Sequence, residues 1–450
     1  MSQYFLSCVN KQQRSSAVAW LYIAVGFLLA SGIYPLLLAL ARTTYEMPWK
    51  DFFYTALVLH VDFTVLWWLL GIAAVFWTLN SAIRWPQLNK LAMALVIIGG
   101  VVVAIAPLLD AAKPLTNNYV PMLENRYFIK GLTMFGAGVF LMALLSLLSN
   151  LKTWGDQGEL GALHFGITTS AVITLVAILS VLWTFLNMPA DMELGRSYYE
   201  TLFWAGGHVL QFTHTALLMV AWLCLASICG AKIAVSSRVL WFFFALSLCM
   251  VLLAPLAFAL YELTDPKFSM WFVWLMRDGN GIAPMLVGML VLWGLFTSNK
   301  IDKPYLKAAL VFSILLFATG GALGLFVSES STLITAHYHG SIVAVTMAFM
   351  AMTYHWLPQF GFSEPSRRLA TIQVFAYALG QFLHVIGLAW GGGHGMKRKV
   401  VGTTQDIGIQ SWITPQDLVG AGGVIAVLSG ILFAAVVLPI MLKGRQEISQ

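Results

Sequence analysis

Two histidines separated by a single residue, His337 and His339, lie in an apolar stretch of the chain. On an α-helix, residues two positions apart differ by about 200°, so these imidazoles leave the helix on nearly opposite sides. They cannot bind one metal together, but each can bind the iron of a different haem, since neutral imidazole is the usual axial ligand. A bis-histidine haem needs a second histidine from another helix, and His60 can supply it. The spacing therefore predicts two haems on the two flanks of one helix.

The elements that must position these histidines are membrane-spanning helices. Of the 450 residues, 59% are hydrophobic and 10% are charged, which is too little polar surface for a soluble exterior. The apolar residues fall into runs of about 20, long enough to cross the hydrocarbon core. We predict an all-α integral membrane protein with twelve spans, near residues 17–42, 54–80, 89–109, 127–149, 163–187, 201–229, 238–262, 270–296, 305–327, 333–357, 370–394 and 420–442. The eighth is interrupted by charged and glycine residues at 277–281, so its first part could be a short interfacial segment.

The chain has no internal repeat and no linker, so we predict a single transmembrane haem-binding domain over residues 1–450. More than half of the 25 Lys and Arg residues fall on one side if both termini are cytoplasmic, which favours an N-in/C-in orientation in the inner (cytoplasmic) membrane. The net charge of +6 does not indicate nucleic-acid binding, because the basic residues are dispersed through the loops. No cleavable signal peptide is predicted, since the first apolar run is long enough to span.

Histidines from three predicted spans share one depth. His60 in span 2, His208 in span 6 and the pair in span 10 each lie within two turns of the outer end of their span. At about 1.5 Å per residue, all of them lie within roughly 10 Å of the outer boundary. Histidines in spans can simply form hydrogen bonds between helices, but the shared depth favours a cofactor layer near the outer face.

Several stretches resemble motifs of one family, the catalytic subunit I of the haem-copper oxidase superfamily. Residues 335–340 and 354–358 resemble its helix 10, and residues 202–208 resemble its helix 6 motif. The end of helix 11 is similar to residues 381–389, with the basic pair Lys397 and Arg398 following. The number of spans and the second-span histidine also fit, so the resemblance covers nearly the whole chain.

The resemblance implies a role for each of these residues. His60 and His339 would bind the iron of a low-spin haem, and His337 would bind the iron of a high-spin haem. Lys397 and Arg398 would bind haem propionates, which explains basic residues on the outer side. His384 and His394, at the outer end of span 11, could contact propionates or waters but are not expected to be ligands.

The copper site of the family is incomplete in this sequence. The family uses one histidine on helix 6, here His208, and an adjacent pair on helix 7, but span 7 contains no histidine and reads Pro255–Ala259 at that position. One imidazole does not make such a site. Two alternatives stay open. His208 could form a degenerate site with Gln211 and Glu262 that holds non-haem iron, or it could be a hydrogen-bonding group that faces the high-spin haem.

Acidic residues in the spans are few and confined to the predicted outer half. Asp62 is one of them, and we expect it to form an ion pair with Arg126 or Lys130. The inner half of the spans contains no Asp or Glu, and its lysines, Lys90 and Lys307, lie at the inner ends of spans 3 and 9, which argues against the proton-pumping routes of the family.

These observations predict a di-haem respiratory oxidoreductase subunit without proton pumping. Electrons would pass from the low-spin to the high-spin haem, which would reduce or bind NO or O2. The short N-terminal segment implies that a cytochrome c-type or cupredoxin-type donor belongs to another subunit on the outer side. The alternative is a non-catalytic di-haem subunit for electron transfer or gas sensing, so enzyme activity stays open. A transporter would need paired charges or broken helices at the midplane, and only span 8 suggests one.

Overall fold

The computed structural model describes residues 4–6, 8, 10–40, 52–150, 158–298, 303–327, 331–398 and 411–444. This part of the chain contains twelve helices that are long and apolar enough to cross a membrane, which confirms the all-α, twelve-span prediction. They are α1 (Lys11–Leu40), α2 (Phe53–Leu79), α3 (Pro86–Leu109), α4 (Arg126–Asn150), α5 (Glu159–Leu186), α6 (Arg196–Ile228), α7 (Ser237–Leu260), α8 (Pro266–Phe296), α9 (Pro304–Gly324), α10 (Thr332–Gln359), α11 (Arg367–Gly393) and α12 (Pro415–Leu442). Between α3 and α4 a small antiparallel hairpin joins β1 (Lys113–Leu115) to β2 (Met122–Glu124).

Three of the twelve helices are locally irregular. A π-helical turn, Phe63–Trp68, lies inside α2, and a second, Leu275–Asn280, lies inside α8. The charged interruption of span 8 therefore falls on a π-helical turn, and Arg277 forms an ion pair with the neighbouring Asp278 at 2.7 Å. In α7 the regular helix stops after Val251 and resumes at Ala254. Such irregularities are often found near functional sites.

The helices group into two compact units. Unit 1 comprises Met1–Phe27, Val61–Ser227 and Ala231–Thr297, and it contains α3–α8 with parts of α1 and α2. Unit 2 comprises Leu28–His60, Ile228–Gly230 and Ser298–Gln450, and it contains α9–α12 with the remaining parts of α1 and α2.

Small residues allow the helices of unit 2 to approach closely, as is typical of membrane proteins. A Cβ added at Gly340 of α10 would lie 2.6 Å from Gly320 Cα of α9. A Cβ at Gly380 of α11 would lie 2.6 Å from the backbone nitrogen of Ala426 of α12. These contacts bring α9 and α12 against the two helices that carry most of the histidines of this unit.

Candidate haem centres

His337 and His60, both in unit 2, are held by hydrogen bonds to backbone carbonyls. His337 Nδ1 lies 2.7 Å from the carbonyl oxygen of Gly320, and His60 Nδ1 lies 3.3 Å from that of Ser31. Because a carbonyl oxygen only accepts, Nδ1 of each neutral ring must carry the hydrogen, and Nε2 keeps its lone pair. Histidines that ligate metals almost always donate their other ring N–H in this way. Both imidazoles are thus oriented as Nε2 ligands.

Glycines of α9 make room for the His337 ring. A Cβ added at Gly324 would lie 2.6 Å from His337 Nδ1 and 2.7 Å from Cε1. Four residues earlier, Gly320 supplies the carbonyl that accepts the Nδ1 hydrogen bond. The position of the His337 imidazole therefore depends on the last turns of α9 as well as on α10.

His339 contacts a histidine that we did not expect to be a ligand. The rings of His339 and His384 lie 4.7 Å apart between centroids, at an interplanar angle of 50°. His384 Nδ1 is 2.9 Å from the carbonyl oxygen of Val419, so this ring too carries its hydrogen on Nδ1. The backbone of His384 lies against Gly422 of α12, where a Cβ would come within 2.5 Å. The structure thus adds His384 to the surroundings of a predicted haem ligand.

The basic residues Lys397 and Arg398 follow a segment that packs against the start of α10. Ser331 and Lys397 form an isolated antiparallel bridge, and the backbone N–H of Thr332 donates to the carbonyl of Met396 at 2.9 Å. The hydroxyl of Thr332 also donates to the carbonyl of Leu388 at 2.9 Å. This places the basic pair at the helix N-terminus whose second turn carries His337 and His339. A helix N-terminus favours anions, so this end of α10 suits carboxylates.

His208, in unit 1, uses both ring nitrogens within the protein. Its Nδ1 lies 2.7 Å from the carbonyl oxygen of Trp204, and its Nε2 lies 2.7 Å from the hydroxyl of Tyr119. His208 is buried, whereas Glu262 of the considered degenerate metal site is exposed. In the part of the chain that the structure describes, no three His, Cys, Asp or Glu side chains converge as a metal site.

The sequence model of one protein family, described as cytochrome c and quinol oxidase polypeptide I, matches residues 15–426, which is most of the chain. The chain belongs to this oxidase polypeptide I family. It is similar, at 28% identity, to an uncharacterised protein of Rickettsia prowazekii (strain Madrid E), with 94% of this chain and 96% of that protein covered. An uncharacterised Aquifex aeolicus protein is 27% identical over 77% of this chain and 85% of its own length.

The fold also has a solved relative. The structure of a haem-copper terminal oxidase dimer, determined by cryo-electron microscopy, aligns with a TM-score of 0.75 over 98% of this chain and 86% of that one. The sequence identity is 16%, so the likeness concerns the fold. Together with the family match, it confirms the resemblance to haem-copper oxidase subunit I.

Membership of the oxidase polypeptide I family implies haem cofactors, and the described residues fit them. His60 and His337 each present the nitrogen that axial ligation requires, and the basic pair lies at the N-terminal end of α10 beside two of the predicted ligands. By contrast, α7 contains no histidine, as the sequence already showed.

Asp62 does not form the ion pair that we expected. Arg126 pairs with Asp110 at 3.7 Å, and Lys130 lies over the ring of Tyr127 at 6.0 Å. Asp62 is buried at 1% exposure, and neither of its carboxylate oxygens has a hydrogen-bond partner among the described residues. The expectation was wrong because Arg126 begins α4 next to the end of α3, where Asp110 is the nearer acid.

Replacing Asp62 should stabilise the protein. A buried polar group without a partner costs about 1–3 kcal/mol, and an apolar side chain of similar size removes this cost. We expect Asp62→Leu to raise the thermal midpoint of unfolding in detergent, whereas Asp110→Leu, which breaks an exposed pair, should leave it nearly unchanged. A lower midpoint for Asp62→Leu would show that this carboxyl has a stabilising partner.

Proposed function

We propose that the chain is the haem-bearing subunit of a respiratory membrane oxidoreductase. Its residues would hold a low-spin haem and a high-spin haem, which would supply electron transfer and the reduction of NO or O2. The observation that carries the proposal is the hydrogen bonding of His60 and His337. Each donates its Nδ1 hydrogen to a backbone carbonyl and so offers Nε2 to iron. The family match supports haem as the group that these nitrogens bind.

We propose that the two histidines on opposite sides of α10 bind different haems. His339 and His60 would hold the iron of the low-spin haem, and His337 would hold the iron of the high-spin haem. The bound haems would supply electron transfer and an open coordination position for a diatomic gas. The hydrogen bond from His337 Nδ1 to Gly320 makes the imidazole a stronger electron donor through Nε2 and fixes its ring plane. Lys397 and Arg398 would neutralise the propionates.

We propose that the chain forms no copper site of the family type. The helix 7 histidines are missing, and the Nε2 lone pair of His208 is engaged by Tyr119. We also propose that it does not pump protons, since the predicted inner half of the spans contains no Asp or Glu. The orientation would be N-in/C-in in the inner membrane, with the haem layer near the outer face. A cytochrome c-type or cupredoxin-type subunit would donate electrons there.

The second candidate is a non-catalytic di-haem subunit for electron transfer or gas sensing. The engagement of His208 by Tyr119 favours it, because a second metal normally supplies electrons and an anchor for the second oxygen or NO molecule. In this case the high-spin haem would bind a diatomic gas without reducing it.

The first experiment is metal analysis of the purified protein, with reduced-minus-oxidised and CO-difference spectra. We expect two haems per chain, of which one binds CO, and no stoichiometric copper or non-haem iron. A single haem, or two haems of which neither binds CO, would contradict the assignment of His337 as the ligand of the high-spin haem. Consumption of O2 or NO with an artificial electron donor would then separate the reductase from the sensor.

A further inference from the structure

A loop of unit 1 places a tyrosine hydroxyl on His208. The loop joins β1 to β2, and its residue Tyr119 belongs to no motif that the sequence revealed. The distance between the Tyr119 hydroxyl and His208 Nε2 is 2.7 Å, and the two ring centroids are 4.5 Å apart. Histidine and tyrosine are 89 positions apart in the chain, so the contact is purely tertiary.

The direction of this hydrogen bond follows from the other side of the imidazole. Nδ1 of His208 lies 2.7 Å from the carbonyl oxygen of Trp204, which can only accept. A neutral ring therefore carries its hydrogen on Nδ1 and has one lone pair, on Nε2. The hydroxyl of Tyr119 must donate to that lone pair. This is also the only lone pair through which a neutral His208 could bind a metal ion.

The loop is fixed at several other points on α6. The ring of Tyr119 lies on Gly207, where an added Cβ would come within 2.3 Å of its Cγ. The indole of Trp204 meets the phenol edge-on, with centroids 5.8 Å apart. One residue earlier, Asn118 donates both its backbone N–H and its side-chain amide to the carboxylate of Glu200. The position of the hydroxyl is thus set by contacts along about two turns of one helix.

We infer that Tyr119 is a positioning residue for His208: its phenol holds the imidazole in the Nδ1–H form and occupies the lone pair that a metal ion would need. The buried site at His208 is then a phenol–imidazole pair. It excludes copper as long as the β1–β2 loop keeps the Tyr119 hydroxyl on Nε2. All of these contacts lie within unit 1 and are independent of the haem assignments, although they give the proposed lack of copper a structural cause.

The test is the ¹⁵N signal of His208 in the full-length purified protein labelled with ¹⁵N-histidine. The protein is reduced and treated with CO, which makes any bound haem diamagnetic. His208→Leu identifies the resonance by its loss. We expect the wild-type Nε2 shift to be that of a hydrogen-bonded acceptor. Tyr119→Phe, which removes only the hydroxyl, should move it toward the shift of an imidazole nitrogen without a donor, and Tyr198→Phe should not.

Gly207→Ala provides a second variant, because its Cβ displaces the phenol without removing any polar group. It should shift the same Nε2 resonance, whereas Gly136→Ala, with nothing within 4 Å of the added Cβ, should not. An Nε2 shift that is unchanged in both Tyr119→Phe and Gly207→Ala would overturn the inference.

Copper loading gives a second readout, which can contradict the inference independently of the ¹⁵N shifts. Wild-type protein is incubated with Cu(II), desalted and examined by electron paramagnetic resonance. We expect no copper signal that depends on His208. A stoichiometric Cu(II) signal with nitrogen coupling that disappears in His208→Leu would overturn the inference, whatever number of haems the protein contains.

Discussion

Gly324→Ala is expected to abolish CO binding and to remove about one of the two proposed haems from the purified protein. The added Cβ would lie 2.6 Å from His337 Nδ1, closer than any real contact, so the imidazole must move. The backbone at this position cannot yield easily, because α9 and α10 touch at Gly320 and Gly340. The 2.7 Å hydrogen bond from His337 to Gly320 would then be lost together with the orientation of Nε2. Haem content and CO-difference spectra measure the effect.

Gly321→Ala is the matched control for this prediction. It lies in the same helix, three positions earlier, and nothing lies within 4 Å of its added Cβ. An alanine inside a helix is favoured over glycine by up to about 1 kcal/mol, so this variant should be as stable as the wild type or more so. It should bind CO normally. If Gly324→Ala also binds CO normally, His337 does not ligate the CO-binding haem.

The helical part of the structure could be predicted from sequence because it depends on local properties. Apolar length located all twelve helices, and the opposed directions of His337 and His339 follow from helix geometry alone. The helix ends were less accurate, since hydrophobicity detects only the lipid-facing part. α1 begins at Lys11, ahead of the apolar run, and α12 begins at Pro415 after a capping box formed by Thr414 and Asp417.

The surroundings of the histidines could not be predicted, because they arise between elements distant in sequence. Nothing in the loop between β1 and β2 indicates that Tyr119 would meet His208. In the sequence, Gly324 cannot be distinguished from other small residues of membrane helices, because its contact with the ring of His337 is seen only in the structure. Asp62 shows the opposite error. Its negative charge suggested an ion pair with Arg126, but in the structure Arg126 pairs with Asp110.

The low-spin haem gives the second large prediction: His60→Ala and His339→Ala should each abolish its absorption band. A bis-histidine iron is held by ligands from two helices, so loss of either leaves it five-coordinate or unbound. The effects of the two substitutions on this band should not be additive, so the double variant should have the same spectrum as each single variant. His394→Ala is the control, because that residue is exposed and its Nδ1 donates to the carbonyl of Trp390 in the last turns of α11.

Adding a His384→Ala variant to the same experiment tells whether His339 or His384 binds the iron of the low-spin haem. It lies against His339, and its Nδ1 hydrogen bond to Val419 leaves Nε2 as the basic nitrogen, as in His60 and His337. If His339 is the ligand, His384→Ala should shift the low-spin band and keep it, because the ring beside the ligand is lost and the ligand remains. If the band survives in His339→Ala and disappears in His384→Ala, the axial ligand comes from α11, and the two haems do not share α10.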